Sequence, residues 1–315
     1  MIRRRAFLGG ALAAVAAPPA LAQPFGYRIR PEPVGDGIWI VRGADEPIAS
    51  SNGGAIANLA IIATDAGAVV VDAGPSLRYG TELKAVAARL GGGTVARVYL
   101  THFHPDHDYG AAAFDPAIVA ATRQFRDLPL TEHQGFADGM YRLLGDWMRG
   151  TEFNLPGRTA AAGVETIGGR PLRLLPLGGH SASDLVIMDE KSGVLIAGDL
   201  VFNGRAASTP HADVARWKQS LATLRALPHR SVLPGHGPFD PTPTLAIDQT
   251  EAWIDWVQEN LRGSLAAGLD MVEAGNVPIP ARFASLKAAR YELQRSVAHF
   301  YPALEATQLP RVDAR

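Results

Sequence analysis

His102, His104, Asp106 and His107 stand within six residues, directly after the strand-like run 96–100. Side chains two apart at an extended strand end point the same way, so His102 and His104 can grip one ion from one side. Pro105 suits the first turn of a helix, where its missing N–H has no intrahelical partner and its fixed φ is already helical. Asp106 and His107 then open that helix. The four side chains fan from a strand-to-helix corner in two pairs, and two pairs suit two ions. Imidazole and carboxylate donors suit zinc, and iron and manganese accept the same set. A single histidine in a loop is ordinarily a surface residue. Three with an aspartate at this spacing make a metal motif.

Apolar, β-branched runs must position that corner. Residues 37–42, 58–64 and 68–72 are three such runs separated by Gly, Asn and Asp, and they predict antiparallel strands. The Gly-rich segment 51–54 lacks a P-loop lysine and reads as a turn near a binding face. Asp72 closes its run before a turn, where it either stabilises that turn or orients a metal-bound histidine. Residues 83–90 have helical period, with Leu83, Val86, Ala87 and Leu90 on one face. Runs at 172–177, 185–189, 194–197 and 232–233 form a second group of strands. Gly179-His180-Ser181, Gly198-Asp199-Leu200 and Gly235-His236-Gly237 stand at their ends, where a strand gives way to a loop and ligands are exposed. Between the two groups, 140–149 predicts a helical insertion over the site. Its Tyr141, Trp147 and Arg149 are candidate rim residues, although aromatics at helical spacing more often pack than bind. The C-terminal part, about 244–306, carries two apolar helical stripes.

The chain has 315 residues, 47% hydrophobic and 19% charged, which is ordinary for a folded protein with ample core. Residues 1–22 read as a signal: Arg3, Arg4 and Arg5, an apolar stretch, and the small-residue site Ala20-Leu21-Ala22. The order Arg4-Arg5-Ala6-Phe7-Leu8 resembles a twin-arginine signal, which implies export of a folded protein to the periplasm. An ordinary secretory signal is the alternative, and either leaves residues 23–315 as one domain with no stable membrane anchor. Cleavage would take three Arg and no acid from 30 basic and 31 acidic residues, leaving a net charge of −4. That is no footprint for nucleic acid. With no cysteine, disulfides and thiolate ligands are excluded.

Taken in order, His102, His104, Asp106, His107, His180, Asp199 and His236 resemble the H-x-H-x-D-H motif and later ligands of the metallo-β-lactamase superfamily, and Asp72 matches the acid ending the family's early strand. The resemblance implies an α/β fold, an αββα sandwich with C-terminal helices, and a binuclear centre with two zinc ions. His102, His104 and His180 would hold one ion, Asp106, His107 and His236 the other, with Asp199 bridging. His211 would then face the pocket as a substrate-rim residue. An aspartate at 199 and no cysteine depart from the lactamase branches, and His104 in place of Glu departs from the di-iron oxidoreductases. What remains resembles glyoxalase II-like hydrolases and lactonases, without the C-terminal glutathione-binding pattern of true glyoxalase II. A closer likeness is to exported quinoprotein relay system zinc metallohydrolases, carried by 52–54, 145–150, 210–213 and 299–302.

The expected activity is therefore hydrolysis of an ester, thioester or lactone. Two ions about 3.5 Å apart would acidify a shared water that attacks the carbonyl, with Asp106 as the catalytic residue orienting it. The expected partners are a small-molecule substrate and a periplasmic quinoprotein dehydrogenase dependent on pyrroloquinoline quinone. The competing readings are a non-catalytic metal-binding accessory of such a dehydrogenase and a metallo-β-lactamase.

Overall fold

The computed structural model describes residues 26–308, so the signal-like segment 1–22 lies outside the described residues. The first sheet follows chain order: β1 (Pro31–Gly35), β2 (Ile38–Val41), β3 (Leu59–Thr64), β4 (Gly67–Val71), β5 (Val95–Tyr99), β6 (Val119–Ala121) and β7 (Arg158–Thr159). The second comprises β8 (Gly163–Ile167), β9 (Arg170–Pro176), β10 (Leu185–Asp189), β11 (Val194–Phe202) and β12 (Ser231–His236), in the order β12-β11-β10-β9-β8. The β2-β3-β4 meander is antiparallel, as the sequence predicts, and β4-β5 and β11-β12 are parallel.

Strand alternation divides the apolar residues into layers. Ala60, Ile62, Val69 and Val71 meet Leu172, Ile187, Ile196 and Leu233 between the sheets. Leu59, Ile61, Val70 and Val98 face outward and pack on Leu83 and Ala87 of helix α1 (Leu77–Leu90). Both faces of these strands are covered, which is why they read as unbroken apolar runs. The chain continues through α2 (Pro105–Asp108), α3 (Arg123–Arg126) and α4 (Leu130–Leu144). The second sheet's outer face is covered by α5 (Val214–Ala226) and α6 (Leu245–Ala266), with α7 (Met271–Asn276) and α8 (Ala289–Gln308) packed against α6. The layers are α, β, β, α.

Two expectations change. Asp199 lies inside β11 and not in a loop after it: Gly198 adopts φ +52° and the register against β12 slips there, so a bulge re-aims Asp199 while the strand continues to Phe202. The helix over the site is Leu130–Leu144 and not 140–149, because Gly145 at φ +55° breaks it and a 3₁₀ turn follows. Among the described residues, no helix is long and apolar enough to cross a membrane.

Candidate metal centre

The site lies where the ends of β4 and β5 meet β10, β11 and β12. Thr101, just past β5, accepts at its carbonyl from Leu185 N–H (2.8 Å). Asn58 donates to the carbonyls of Pro234 (2.9 Å) and Gly237 (2.7 Å). These bonds hold the two sheets at fixed separation beside the histidines.

Two groups of donors gather there: His102, His104, His180 and Asp199, and Asp106, His107 and His236, with the ligand atoms of each group within 4.8 Å of one another. Asp199 stands between the groups. One oxygen is 3.2 Å from His107 Nε2, and the other is 3.3 Å from His236 Nε2, 3.4 Å from His180 Nε2 and 3.8 Å from His102 Nε2. Asp106 lies 3.4 Å from His236 Nε2 and 3.6 Å from His107 Nε2.

The far nitrogen of each histidine is held by a partner that fixes which nitrogen faces the centre. His180 Nδ1 donates to the Ser208 carbonyl (3.1 Å), and His236 Nδ1 lies between the Ile56 carbonyl (2.8 Å) and the Arg205 guanidinium (2.6 Å). His107 Nδ1 donates to Asp72 (2.7 Å). Thr101 Oγ donates to Asp72 (2.9 Å), so it accepts from His102 Nδ1 (2.9 Å). In all four, Nε2 faces the centre, and in the neutral forms of His102, His107 and His180 it carries the lone pair. His104 is reversed: its Nδ1 faces His102 and His180 (2.9 Å each), and its Nε2 meets His211 Nδ1 at 2.8 Å.

The residues fit bound divalent metal. His107 Nε2 and Asp199 Oδ1 are buried with no aligned hydrogen-bond partner, an arrangement costly in a protein unless a cation completes it. Charge is apportioned accordingly. Burial, then the neighbouring His107, holds His102 well below the usual histidine range; burial and His180 do the same to His104, and burial brings His180 down to about 4. These three are neutral donors. Burial also acts on His107 and His236, but Asp199 and its fellow carboxylates outweigh it and raise both. Burial would raise Asp106 and Asp199, yet their histidine neighbours hold both carboxyls below the usual range. Without a cation, the second group keeps protons where an ion would sit.

A cavity of about 340 Å³ opens above. His104, Asp106, Asp199 and His236 form its floor, and Phe136, Met140 and Leu143 of α4 with Pro47 and Ile48 form an apolar wall. The opposite wall carries Arg205, Tyr291 and Arg295. Buried Glu292 pairs with both guanidiniums (3.4 and 3.1 Å), and Arg205 also reaches within 2.6 Å of His236 Nδ1.

All seven expected donors and Asp72 therefore come together, and His211 reaches the rim. Tyr141, Trp147 and Arg149 do not line the cavity. The inner face of α4 runs 136, 140, 143, one step out of phase with Tyr141, which instead donates to the Thr151 carbonyl (2.9 Å). Trp147 packs on Tyr27 and donates to the Ser50 carbonyl (3.0 Å), and exposed Arg149 pairs with Asp146 (2.7 Å). The sequence reading missed Thr101, Ser208 and Ile56, and the Arg205–Glu292–Arg295 group. For the carbonyls no residue-type signal exists; for the arginines, Glu292 beside the apolar Leu293, itself one turn before Val297 in α8, was the available clue.

A family model described as the metallo-beta-lactamase superfamily matches residues 52–236. A curated relative, the probable metallo-hydrolase YqjP of Bacillus subtilis (strain 168), is 25% identical over 53% of this chain and 63% of that protein, so the chain spans less than two thirds of it. Among solved structures, a beta-lactamase domain protein from Burkholderia ambifaria is similar with a TM-score of 0.62 at 20% identity, covering 89% of each chain. A metallo-beta-lactamase from Pontibacter korlensis gives 0.58 at 21%, covering 72% of this chain and 99% of that one. At these identities the structural likenesses speak for the fold.

Proposed function

This chain belongs to the metallo-β-lactamase superfamily, and from that premise we propose that it is a binuclear metal-dependent hydrolase, acting on the carbonyl of an ester, thioester or lactone. The observation that carries the reading is Asp199 standing within 3.4 Å of donors from both groups, with its Oδ1 otherwise unpartnered. Bound divalent cations supply Lewis-acid polarisation of a carbonyl and a water acidic enough to serve as nucleophile near neutral pH. Asp106 is held ionised by its histidine neighbours and lies on the cavity floor, where its carboxylate can accept a proton and orient a water. Phe136, Met140 and Leu143 seat the apolar part of the substrate and exclude water from it.

An aspartate at 199, a histidine at 104 and the lack of cysteine support the glyoxalase II-like branch over the lactamases. The arginine-led segment 1–22 supports export to the periplasm, and the four short stretches resembling quinoprotein relay metallohydrolases support a quinoprotein dehydrogenase as neighbour. Zinc is the ion this reading favours, with iron or manganese as the outcomes elemental analysis would substitute.

The test is a panel of thioesters, lactones and a chromogenic cephalosporin, assayed with and without chelator. Chelator-sensitive turnover of a thioester or lactone is expected, with Asp106→Asn and His180→Ala folded by circular dichroism but slowed about 10²–10⁴-fold. Full turnover by either purified variant overturns the assigned centre. Two bound ions with no turnover on any substrate would transfer the protein to the accessory reading.

A further inference from the structure

We propose that His211 is a positioning residue, accepting a hydrogen bond from His104 Nε2–H and so fixing His104 as the one histidine of the centre that presents Nδ1. The inference rests on the metal reading above and goes beyond it, to a residue outside the ligand set. His180, His107 and His102 are each held at the far nitrogen by an atom of settled role, a carbonyl oxygen, a carboxylate and a hydroxyl already engaged as donor, and His236 by a carbonyl and a guanidinium. Only His104 depends on a second imidazole, 2.8 Å away and 107 residues later. His104 Nδ1 faces Nε2 of His102 and of His180 at 2.9 Å each; with a cation among these three nitrogens, the proton of neutral His104 belongs on Nε2, and His211 Nδ1 accepts it.

The loop that carries His211 is built to hold it. Asp213 caps α5 by accepting from Arg216 N–H (3.0 Å), and Thr209 donates to Ser296 of α8 (2.8 Å). The imidazole itself is wedged edge-on against Phe103 and Phe136, with centroids 5.7 and 5.4 Å away. The ring is exposed on its outer side, so its removal leaves the core intact. The loop from Thr209 to Asp213 thus joins α4, α5 and α8 to one ligand.

The experiment measures zinc affinity by competition with a chromogenic chelator, for wild type, His211→Ala, His211→Leu and His211→Asn. Asparagine can place an amide oxygen near the position of Nδ1, whereas leucine keeps packing on Phe103 and Phe136 without an acceptor. The expected result is two zinc ions in every variant, one of them held about 10–100-fold more weakly in the Ala and Leu variants, and recovery to near wild type with Asn. Long-range ¹H–¹⁵N spectra of the zinc-loaded protein supply the second readout: the His104 Nε2–H signal is protected in wild type and the Asn variant and exchanges in the other two. Unchanged affinity in both Ala and Leu variants, equal weakening of both ions, or an Asn variant no better than Leu overturns the inference while leaving the hydrolase reading standing. A wild-type protein that takes up no zinc overturns both.

Discussion

Asp72 accepts three hydrogen bonds, from Thr101 N–H (2.7 Å), Thr101 Oγ–H (2.9 Å) and His107 Nδ1–H (2.7 Å). It does so with φ +63°, a conformation that aspartate and asparagine tolerate better than other non-glycine residues. One carboxylate therefore orients a histidine from each donor group, His107 directly and His102 through Thr101. Asp72→Asn keeps the backbone conformation but has one acceptor oxygen for three donors. Zinc affinity should fall about 10–100-fold with little change in fold, measured by chelator competition and circular dichroism; an unchanged affinity would mean that Asp72 only shapes its turn. Of the two roles open to this residue in the sequence, the hydrogen bond to His107 supports the orienting one.

Between elements, the close contact that seats the histidine motif is glycine on backbone. A Cβ at Gly80, buried in α1, would lie 2.0 Å from the Gly110 carbonyl oxygen, and one at Gly110 would lie 1.9 Å from that of Ala73. Helix α1 thereby rests directly on the turn that follows His107. Glycine to alanine inside a helix ordinarily gains about 1 kcal/mol, and at Gly263 in α6, where a Cβ would meet nothing within 4 Å, Gly263→Ala should gain about 0.5–1 kcal/mol. At Gly80 the sign should reverse, with overpacking costing roughly 1–3 kcal/mol. Urea unfolding of the two variants beside wild type checks this, and a gain at both positions would refute the proposed contact. Such contacts are not legible in sequence, because glycine at a tight approach and glycine on an open surface look alike. The sandwich strands were legible, since covering both faces leaves continuous apolar runs. β1 carries Pro31 and Pro33, β6 and β7 have only three and two residues, and β8 is largely exposed, so pattern had little to work with. The donors were legible because each is a chemically rare residue beside a glycine or in a tight motif. The cavity-lining face of α4 was not, because its helix begins ten residues before the stretch that stood out.

At the scale of the molecule, the centre is a clamp across the sandwich. His102, His104, Asp106 and His107 follow β5 of the first sheet, whereas Asp199 and His236 lie on β11 and β12 of the second and His180 in the loop leading to its β10. A cation held between them cross-links the two halves of the chain, and an ion that binds only the folded state stabilises it by RT ln(1 + [L]/Kd), about 4 kcal/mol at a thousandfold excess over Kd. The pH dependence follows from His107 and His236, raised above their ordinary 6.5 by Asp199 and its neighbours. In metal-free protein their contribution is fully present below pH 6.5 and is lost as pH rises through their folded values. A cation must displace those same protons, so the stabilisation it brings grows in the opposite direction, as pH rises. Thermal unfolding with excess zinc or excess chelator, at pH 5.5 and pH 7.5, should show a zinc-dependent rise in Tm at both, larger at pH 7.5. His236→Ala removes one donor from the second group and one of the two raised histidines, so it should shrink the rise and flatten its pH dependence. A rise of equal size at both pH values in wild type would mean that the ion does not compete with these protons, and the division of charge between the two donor groups would have to be redrawn.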